Sequence, residues 1–319
     1  MTRHFLTVPD LSPAELGDVL KTAEAYKIGR RKDKPLANKV VALVFQKPSM
    51  RTRVAFEVAV VQLGGAATYL GQDDIQLGLR EPVKDVARVL SRYVDGIVLR
   101  TFGHAIAEEF AAYSRVPVIN GLSDLVHPCQ ALADVLTIQE AFGRLKGVKL
   151  AYIGDGNNVL HSLAQACAMA GVHVVAATPK QYGPEPGQWA IAKKLATQTG
   201  AKMNWVHDPV EAVRGAQVLY TDVWVSMGQE KEKEERRNAF VGYQISEELL
   251  AQADKHCRVM HCLPAHRGEE ITEGAMECRQ SLVFDQAENR LHVHKAVLTG
   301  LLSGARRGSP ATAPNKRKR

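Results

Sequence analysis

Residues 45–53, with the sequence FQKPSMRTR, combine phosphate-binding groups and stand between an apolar run and a helical pattern. Ligands collect at the carboxyl end of a parallel strand, and the amides at the start of the next helix attract anions. Ser49 and Thr52 would add hydroxyl groups, and Arg51 would add a planar guanidinium suited to phosphate oxygens. We interpret this segment as a phosphate cradle. Taken alone, it is equally consistent with a helix N-cap beside two solvated arginines.

The sequence HPCQ at 127–130 also follows an apolar run, VPVIN, and precedes a helical pattern. Arg100 ends the run DGIVLR, so we expect it at the same edge of the sheet. Together, Arg100, His127 and Gln130 could polarise a carbonyl group and stabilise the oxyanion that forms when it is attacked. A single histidine is more often a hydrogen-bonded surface or core residue, so the prediction depends on all three converging.

The second half of the chain supplies polar groups after several apolar runs. GDGNN at 154–158 resembles a dinucleotide fingerprint, but Val159 stands where its third glycine is required, so we predict no nucleotide site. Asp155 and Asn158 would still meet a polar substrate at the end of a strand. The later sequences DVWVSMG and HCLP add further candidates, namely Asp222, Ser226, Met227 and Cys262.

Two His–Cys pairs, His256–Cys257 and His261–Cys262, invite a zinc interpretation. Their spacing fits none of the usual zinc-site patterns, and within a strand His261 and Cys262 would face opposite sides. We therefore predict no metal site. The sequence also contains no P-loop, nucleophile elbow or zinc-protease motif.

The elements that must position these residues alternate between strand and helix, which predicts an α/β fold with parallel sheets covered on both faces. The length fits two such domains, with a boundary near GRLKG at 143–147. Ser12-Pro13-Ala14-Glu15 reads as a capping box that opens a helix to about Arg30. We predict strands at 40–46, 95–100, 116–120, 149–154, 172–178, 202–206, 217–223 and 258–264, and helices at 51–63, 83–93, 105–114 and 286–303, with another after HPCQ to Phe142.

Charge and cysteine content limit the class of protein. The net charge of +7 arises mainly from Arg306, Arg307 and residues 316–319, so the body of the chain is nearly neutral and we expect no nucleic-acid partner. No apolar run approaches the roughly 18 residues that a membrane span requires. Five cysteines, an odd number, without a secretory leader favour reduced thiols in the cytosol.

Taken together, KPSMRTR, QLG at 76–78, HPCQ, GDGNN, TDVWVSMGQE, HCLP and AENR closely resemble the motifs of the ornithine carbamoyltransferases. The resemblance covers residues 1–304. It implies a carbamoyl-phosphate-binding domain at 1–145 and a Rossmann-like ornithine-binding domain at 146–285, with the final helix, 286–303, crossing back to the first domain. The basic tail at 305–319 matches nothing in the family, and we expect it to be disordered.

The resemblance also implies roles for individual residues. Many relatives have Thr where this chain has Met50, but the position acts through its backbone N–H, so we expect phosphate binding to survive. The implied catalytic residues are Arg100, His127 and Cys262. The implied carbamoyl-phosphate ligands are Ser49, Met50, Arg51, Thr52, Gln76 from a neighbouring subunit of a trimer, Arg100, His127, Gln130 and Arg290, and the ornithine ligands are Asn158, Asp222, Ser226, Met227, Cys262 and Leu263.

The implied reaction is carbamoyl transfer from carbamoyl phosphate to the side-chain amine of L-ornithine, without a metal or organic cofactor, in arginine synthesis or breakdown. Putrescine, aspartate and acylated ornithine are alternative acceptors, although putrescine lacks the amino-acid head group that the Ser226-Met227 turn suits. Aspartate transfer would be expected to use cationic groups in place of Asp222 and Cys262. A non-catalytic phosphate-binding module is a further alternative, against which the retention of both half-sites argues.

Overall fold

The computed structural model describes residues 2–226 and 230–303, which contain two parallel β-sheets. The predictions for Met227 and for the tail at 305–319 lie outside the described residues. The first sheet has the order β2 (Ala66–Leu70), β1 (Val40–Phe45), β3 (Gly96–Arg100), β4 (Val118–Leu122). The second has the order β7 (Met203–Val206), β6 (His173–Ala177), β5 (Lys149–Ile153), β8 (Val218–Thr221), β9 (Arg258–His261).

Helices connect these strands, and every neighbouring pair of strands runs parallel, which confirms the predicted α/β class. Within the described residues, no helix combines the length and apolar character needed to span a membrane. The helices are α1 (Pro13–Lys27), α2 (Met50–Gln62), α3 (Gln72–Ile75), α4 (Val83–Tyr93), α5 (His104–Tyr113), α6 (Pro128–Phe142), α7 (Asn158–Ala170), α8 (Pro186–Thr199), α9 (Pro209–Val213), α10 (Lys233–Ala239), α11 (Glu247–Leu250), α12 (Glu273–Glu277) and α13 (Val283–Leu302), with short 3-10 helices at Val8–Asp10, Lys180–Tyr182 and Glu230–Glu232.

The central strands of both sheets are buried on both faces, and their successive side chains enter opposite cores. In β1, Val41, Leu43 and Phe45 enter one core, and Ala42 and Val44 enter another. The central strand of the second sheet, β5, divides its side chains between two cores in the same way. The largest core is continuous between the two sheets. The near-continuous apolar runs in the sequence are therefore those of doubly covered parallel strands.

Each sheet reverses its strand order next to its first strand. The chain moves from β1 to β2 on one side and then to β3 on the other, and it moves from β5 to β6 and later to β8 in the same manner. The loops that follow these strands diverge at such a switch point and leave a crevice at the carboxyl ends. This topology places residues 46–52, Arg100, residues 154–158 and Asp222 beside the two crevices.

The last helix, α13, returns from the second sheet and packs against α1, α2 and α6 of the first. Its end is held by Lys39, whose Nζ donates to the carbonyl oxygen of Leu302. The predicted start at Gln286 was three residues late, because Val283 already has helical geometry. This crossing helix brings Arg290 into contact with Thr52 and Gln130 of the first half of the chain.

The sequence prediction missed one strand, extended another too far and ended the first helix too late. β2 is an edge strand whose residues are all exposed or half-buried, so it does not produce an apolar run. The predicted strand 258–264 ends at His261, because Leu263 has a φ of 60°, which extended backbone does not adopt. The first helix has the predicted capping box but ends at Lys27 instead of Arg30.

Candidate active site

A cleft of about 1040 Å³ lies between the carboxyl ends of the two sheets. Both halves of the chain line it. Among the predicted site residues, those that line it are Ser49, Met50, Arg51, Thr52, Arg100, His127, Asn158, Asp222, Ser226, Cys262, Leu263 and Arg290. Residues predicted from separate motifs are therefore brought together on one surface.

The first wall of the cleft is the N-terminus of α2. Ser49 is the N-cap, and its Oγ accepts a hydrogen bond from the backbone N–H of Thr52 at 3.3 Å. The remaining free amides of the first turn carry the positive end of the helix dipole. The side chain of Met50 is 70% exposed and contributes little packing here, so the backbone is the chemically useful part of this residue. The arrangement is that of an anion site.

Three guanidinium groups, from Arg51, Arg100 and Arg290, gather next to this helix end. Burial, together with the neighbouring charges of Arg290 and Arg51, lowers the pKa of Arg100 to about 10. Burial also lowers the pKa of Arg51 and of Arg290. Mutual repulsion of three cations is relieved when an anion binds among them, so this wall is suited to a group with more than one negative charge.

Arg290 is the best anchored of the three. Its Nη2 donates to Thr52 Oγ1 at 2.9 Å, and its Nη1 donates to Gln130 Oε1 at 3.1 Å. Gln130 is 1% exposed and does not line the cleft. Its side-chain amide contacts Arg290 and Asp134. Gln130 thus holds an arginine of the site.

His127 is the N-cap of α6 and is 5% exposed. Its backbone N–H donates to Ser162 Oγ at 2.8 Å, which fixes the turn where the chain enters the helix. Burial lowers the pKa of the imidazole well below its ordinary value, and the charges of Arg290 and Arg100 add to the effect. The ring is therefore neutral near pH 7. A neutral imidazole can donate one hydrogen bond to a carbonyl oxygen without adding a fourth positive charge.

The opposite wall is built around Asp222, which directly follows β8 and is 5% exposed. One carboxylate oxygen accepts from Asn157 Nδ2 at 2.7 Å, and the other accepts from Cys262 Sγ at 3.0 Å. Burial raises the pKa of Cys262 well above its ordinary value, and the charge of Asp222 raises it further. Cys262 is therefore a protonated thiol that acts as a hydrogen-bond donor, unlike the thiolate of a cysteine nucleophile.

The residues beside this pair are held by local bonds. The side chain of Asn158 donates from Nδ2 to the carbonyl oxygen of Ser123 at 2.6 Å. The backbone N–H of Leu263 donates to His261 Nδ1 at 2.8 Å, and the other ring nitrogen of His261 contacts Glu270 Oε1 at 3.1 Å. These contacts fix the turn that carries Cys262.

The residues that could hold a metal ion in the structure differ from the two His–Cys pairs of the sequence. Within the described residues, candidate ligand atoms of Asp222, His261 and Cys262 lie within 4.8 Å of one another. Both ring nitrogens of His261 are already engaged, however, as described above. Cys257 instead belongs to the second apolar core. A metal ion at this position would have to displace existing hydrogen bonds.

Two features of the site were not found from the sequence. Asn157, next to the predicted Asn158, caps α7 and contacts Asp222, and an Asn before a helical pattern could have indicated this role. Asp155, predicted to meet a substrate, forms a buried ion pair with Arg236 at 3.0 Å. Arg236 lies on α10, and no sequence pattern around it predicts this contact. Gln76, which the resemblance assigns to the site of a neighbouring subunit, lies outside this cleft and is exposed at the end of α3.

Comparison with known proteins agrees with this architecture. Residues 3–140 match the family model described as the carbamoyl-P binding domain of aspartate/ornithine carbamoyltransferase, and residues 146–301 match its Asp/Orn binding domain. An ornithine carbamoyltransferase of Archaeoglobus fulgidus is 55% identical over 303 residues, which is 94% of this chain and 97% of the relative.

Solved structures give the same result. The ornithine carbamoyltransferase from Pyrococcus furiosus superposes with a TM-score of 0.93 at 50% identity and covers 95% of this chain and 98% of its own. The ornithine carbamoyltransferase from Gloeobacter violaceus superposes with a TM-score of 0.87 at 48% identity. The match covers 95% of this chain and 99% of the Gloeobacter chain. The resemblance stated from the sequence motifs is confirmed. The chain belongs to the aspartate/ornithine carbamoyltransferase family.

Proposed function

We propose that this protein transfers the carbamoyl group of carbamoyl phosphate to the side-chain amine of L-ornithine, giving L-citrulline and phosphate. The observation that carries the proposal is the pairing of two unlike walls in one cleft. One wall presents a helix N-terminus and three guanidinium groups, and the other presents the hydrogen-bonded pair Asp222–Cys262. The names of the relatives support the same reaction.

On the cationic wall, carbamoyl phosphate is bound by Ser49, Arg51, Thr52 and the backbone N–H of Met50. The helix N-terminus and Arg51 take up negative charge as the phosphate leaves, which makes it a better leaving group. Arg290, oriented by Thr52 and Gln130, adds a further positive charge beside it.

Arg100 and His127 act on the carbamoyl carbonyl. Both are buried and line the cleft, where a donor interacts more strongly with a developing charge than it would in water. As the amine attacks, the carbonyl oxygen gains negative charge, and the two donors stabilise it. The new C–N bond forms, the C–O bond to phosphate breaks, and the departing phosphate accepts the proton of the amine.

On the acceptor wall, Asp222 and Cys262 lie beside the reacting amine. A free amine of this kind has a pKa of about 10.4, so the site must select or create its neutral form. A protonated Cys262 keeps one oxygen of Asp222 engaged, and Asn157 engages the other. Asn158, Ser226, Leu263 and the backbone at Met227 complete the ornithine site in the proposal.

The choice of acceptor is tested by measuring product formation with ornithine, putrescine and N-acetylornithine side by side. An acceptor without the amino-acid head group leaves buried polar partners unmet, at about 1–3 kcal/mol each. Ornithine should therefore exceed putrescine by at least about tenfold in kcat/KM. Equal use of putrescine would move the assignment to another acceptor, and no carbamoyl transfer to any of the three would reject the activity.

We further propose that the active enzyme is a homotrimer in which each cleft receives Gln76 from a neighbouring subunit. Gln76 lies outside its own cleft. Leu79 follows it closely and is 84% exposed, and Met50 at the cleft rim is 70% exposed. Both are large apolar side chains exposed to solvent, and contact with another chain would bury them.

Sharing can be tested by mixing two inactive variants, Gln76→Ala and Arg100→Ala. In a mixed trimer, a subunit with native Arg100 can receive native Gln76 from its neighbour, so part of the activity should return. Each variant alone, passed through the same dissociation and reassembly, is the control. Mixed trimers of verified composition that stay inactive would contradict sharing.

The remaining assignments follow from the family membership. We propose residues 1–145, joined by the final helix at 286–303, as the carbamoyl-phosphate domain and 146–285 as the ornithine domain. The only partners proposed are the two substrates and other copies of the chain. All five cysteines are free, which supports a reducing, cytoplasmic setting. A 50% identical relative from Pyrococcus furiosus is named anabolic, which supports a role in arginine biosynthesis.

A further inference from the structure

Behind the cleft, a buried carboxylate links the two walls. Asp134 on α6 is 0% exposed, and three neutral groups donate to it. Gln130 Nε2 and Gln286 Nε2 donate to its Oδ1 at 2.8 and 2.7 Å, and the hydroxyl of Tyr220 donates to its Oδ2 at 3.1 Å. These three donors come from α6, α13 and β8, so the contacts join both sheets and the crossing helix.

Each of the two glutamines also contacts a residue that belongs to, or adjoins, one wall of the cleft. Gln130 Oε1 accepts from Arg290, whose other terminal nitrogen donates to Thr52 in the phosphate cradle. Gln286 Oε1 accepts from the backbone N–H of His261 at 2.9 Å, directly before Cys262. Residues 130 and 134 lie one turn apart on α6, as do residues 286 and 290 on α13, so each pair faces the same side.

The chemistry of these groups fixes the direction of every bond. A guanidinium and a backbone N–H can only donate, and an ionised carboxylate can only accept. Each glutamine must therefore turn its carbonyl oxygen toward the cleft and its NH₂ toward Asp134. Burial raises the pKa of Asp134 to about 7, and the hydrogen bonds from Gln130, Gln286 and Tyr220 oppose that rise.

We propose that Asp134 is a positioning residue that couples the two half-sites. Through Gln130 it orients Arg290 beside the phosphate cradle, and through Gln286 it holds the turn that carries Cys262. A shift at one wall then changes the bonds that position the other. Binding of carbamoyl phosphate and binding of the acceptor consequently strengthen each other, and the effect is reciprocal. This inference rests on the proposed function of the two walls.

The coupling can be measured with L-norvaline, which has the head group and chain of ornithine but no reacting amine. The coupling factor is the ratio of its Kd without and with saturating carbamoyl phosphate. For the wild type we expect a factor of at least about fivefold, the lower end of typical allosteric couplings. In Asp134→Leu the factor should fall to within about twofold of unity, because both amides lose the acceptor that orients them.

Two further variants separate positioning from packing. In Asp134→Asn, the amide oxygen can still accept hydrogen bonds from both glutamines, so this variant should retain most of the coupling. Tyr220 is not a neutral control, because its hydroxyl also accepts from Gln286 Nε2 at 3.1 Å. Thr137→Val removes another buried hydroxyl of α6, which bonds the carbonyl oxygen of Ala133 and the amide of Asn289 but neither glutamine, so it should keep the wild-type factor. If Thr137→Val reduces coupling as much as Asp134→Leu, the effect is general packing and the proposal is overturned.

Gln286→Met decides the question if Asp134→Leu does not fold. It breaks only the acceptor branch, so KM for ornithine should rise about tenfold, KM for carbamoyl phosphate should stay within about twofold, and coupling should be lost. Wild-type coupling in folded Gln286→Met or Asp134→Leu would overturn the proposal. A wild type that makes citrulline but shows no coupling would overturn this inference alone, whereas absence of carbamoyl transfer would reject the proposed function.

Discussion

The two walls of the cleft differ in how their charges are held. On the phosphate wall, three guanidinium groups stand close together, and within the described residues the side chain of Arg51 makes no hydrogen bond or ion pair. On the acceptor wall, both oxygens of Asp222 already have partners in Asn157 and Cys262. The phosphate wall thus holds positive charge without a bound counter-charge, whereas the negative charge of the acceptor wall already accepts hydrogen bonds from two neighbours.

This difference suggests a division of labour. Repulsion among the guanidinium groups adds to burial in lowering the pKa of Arg100, and an anion bound among them relieves it, so that wall supplies binding and leaving-group stabilisation. The bonds around Asp222 fix its geometry, so that wall supplies discrimination between acceptors. Substitutions on the two walls should therefore affect different kinetic parameters.

The largest effect is expected for Arg51→Met, which removes one cation from the phosphate wall. Loss of one charge-stabilising group typically costs on the order of 10²-fold or more in rate, and we expect a loss of that size in kcat/KM for carbamoyl phosphate. Arg53→Met is the matched control, because Arg53 is exposed and paired with Glu57 at 3.0 Å. Near-normal turnover in Arg51→Met would contradict the role of the phosphate cradle in the mechanism.

A smaller effect is expected for Cys262→Ser, which acts on the acceptor wall. Serine keeps a small donor near Asp222 but differs in size and acidity from the thiol. KM for ornithine should rise about tenfold, while KM for carbamoyl phosphate stays unchanged. Cys278→Ser is the control, because its thiol contacts the carbonyl oxygen of Ala275 and does not line the cleft. Unchanged ornithine kinetics in Cys262→Ser would break the proposed division.

The smallest effect concerns Asp134, which lies between the walls. Its folded pKa of about 7 exceeds the ordinary value of 3.8, so between these values the folded state binds a proton that the unfolded state does not. The resulting stabilisation is present at low pH and is lost as pH rises through the folded pKa. Asparagine does not titrate in this range.

The measurement is the difference in Tm between the wild type and Asp134→Asn. On lowering the pH from about 8 to about 5, this difference should shift by a few degrees in favour of the wild type. Other titrating groups are common to both proteins and cancel. A difference that does not change with pH would show that the carboxyl group does not titrate as its burial predicts.

The phosphate wall was more accessible to sequence reasoning than the acceptor wall. Ser49, Arg51 and Thr52 lie within one strand-to-helix junction, and such a junction creates an anion site by local geometry alone. Asp222 and Cys262 are 40 residues apart, and only the order of strands β8 and β9 brings them together. Their function was inferred from resemblance, because no local pattern predicts this contact.

The core strands were predictable because both faces of each are buried, which leaves apolar runs in the sequence. The edge strand β2 was missed for the opposite reason. The network around Asp134 was also missed. Its members come from α6, β8 and α13, and a buried aspartate has no sequence feature that distinguishes it from an exposed one.

The most direct test of the division between the walls is a calorimetric titration of inorganic phosphate into the wild type, Arg51→Met and Cys262→Ser. Phosphate should bind the wild type and Cys262→Ser with Kd values within about threefold of each other, and it should bind Arg51→Met at least about tenfold more weakly. Equal weakening in the two variants, or undiminished binding by Arg51→Met, would contradict the assignment of phosphate to the cationic wall.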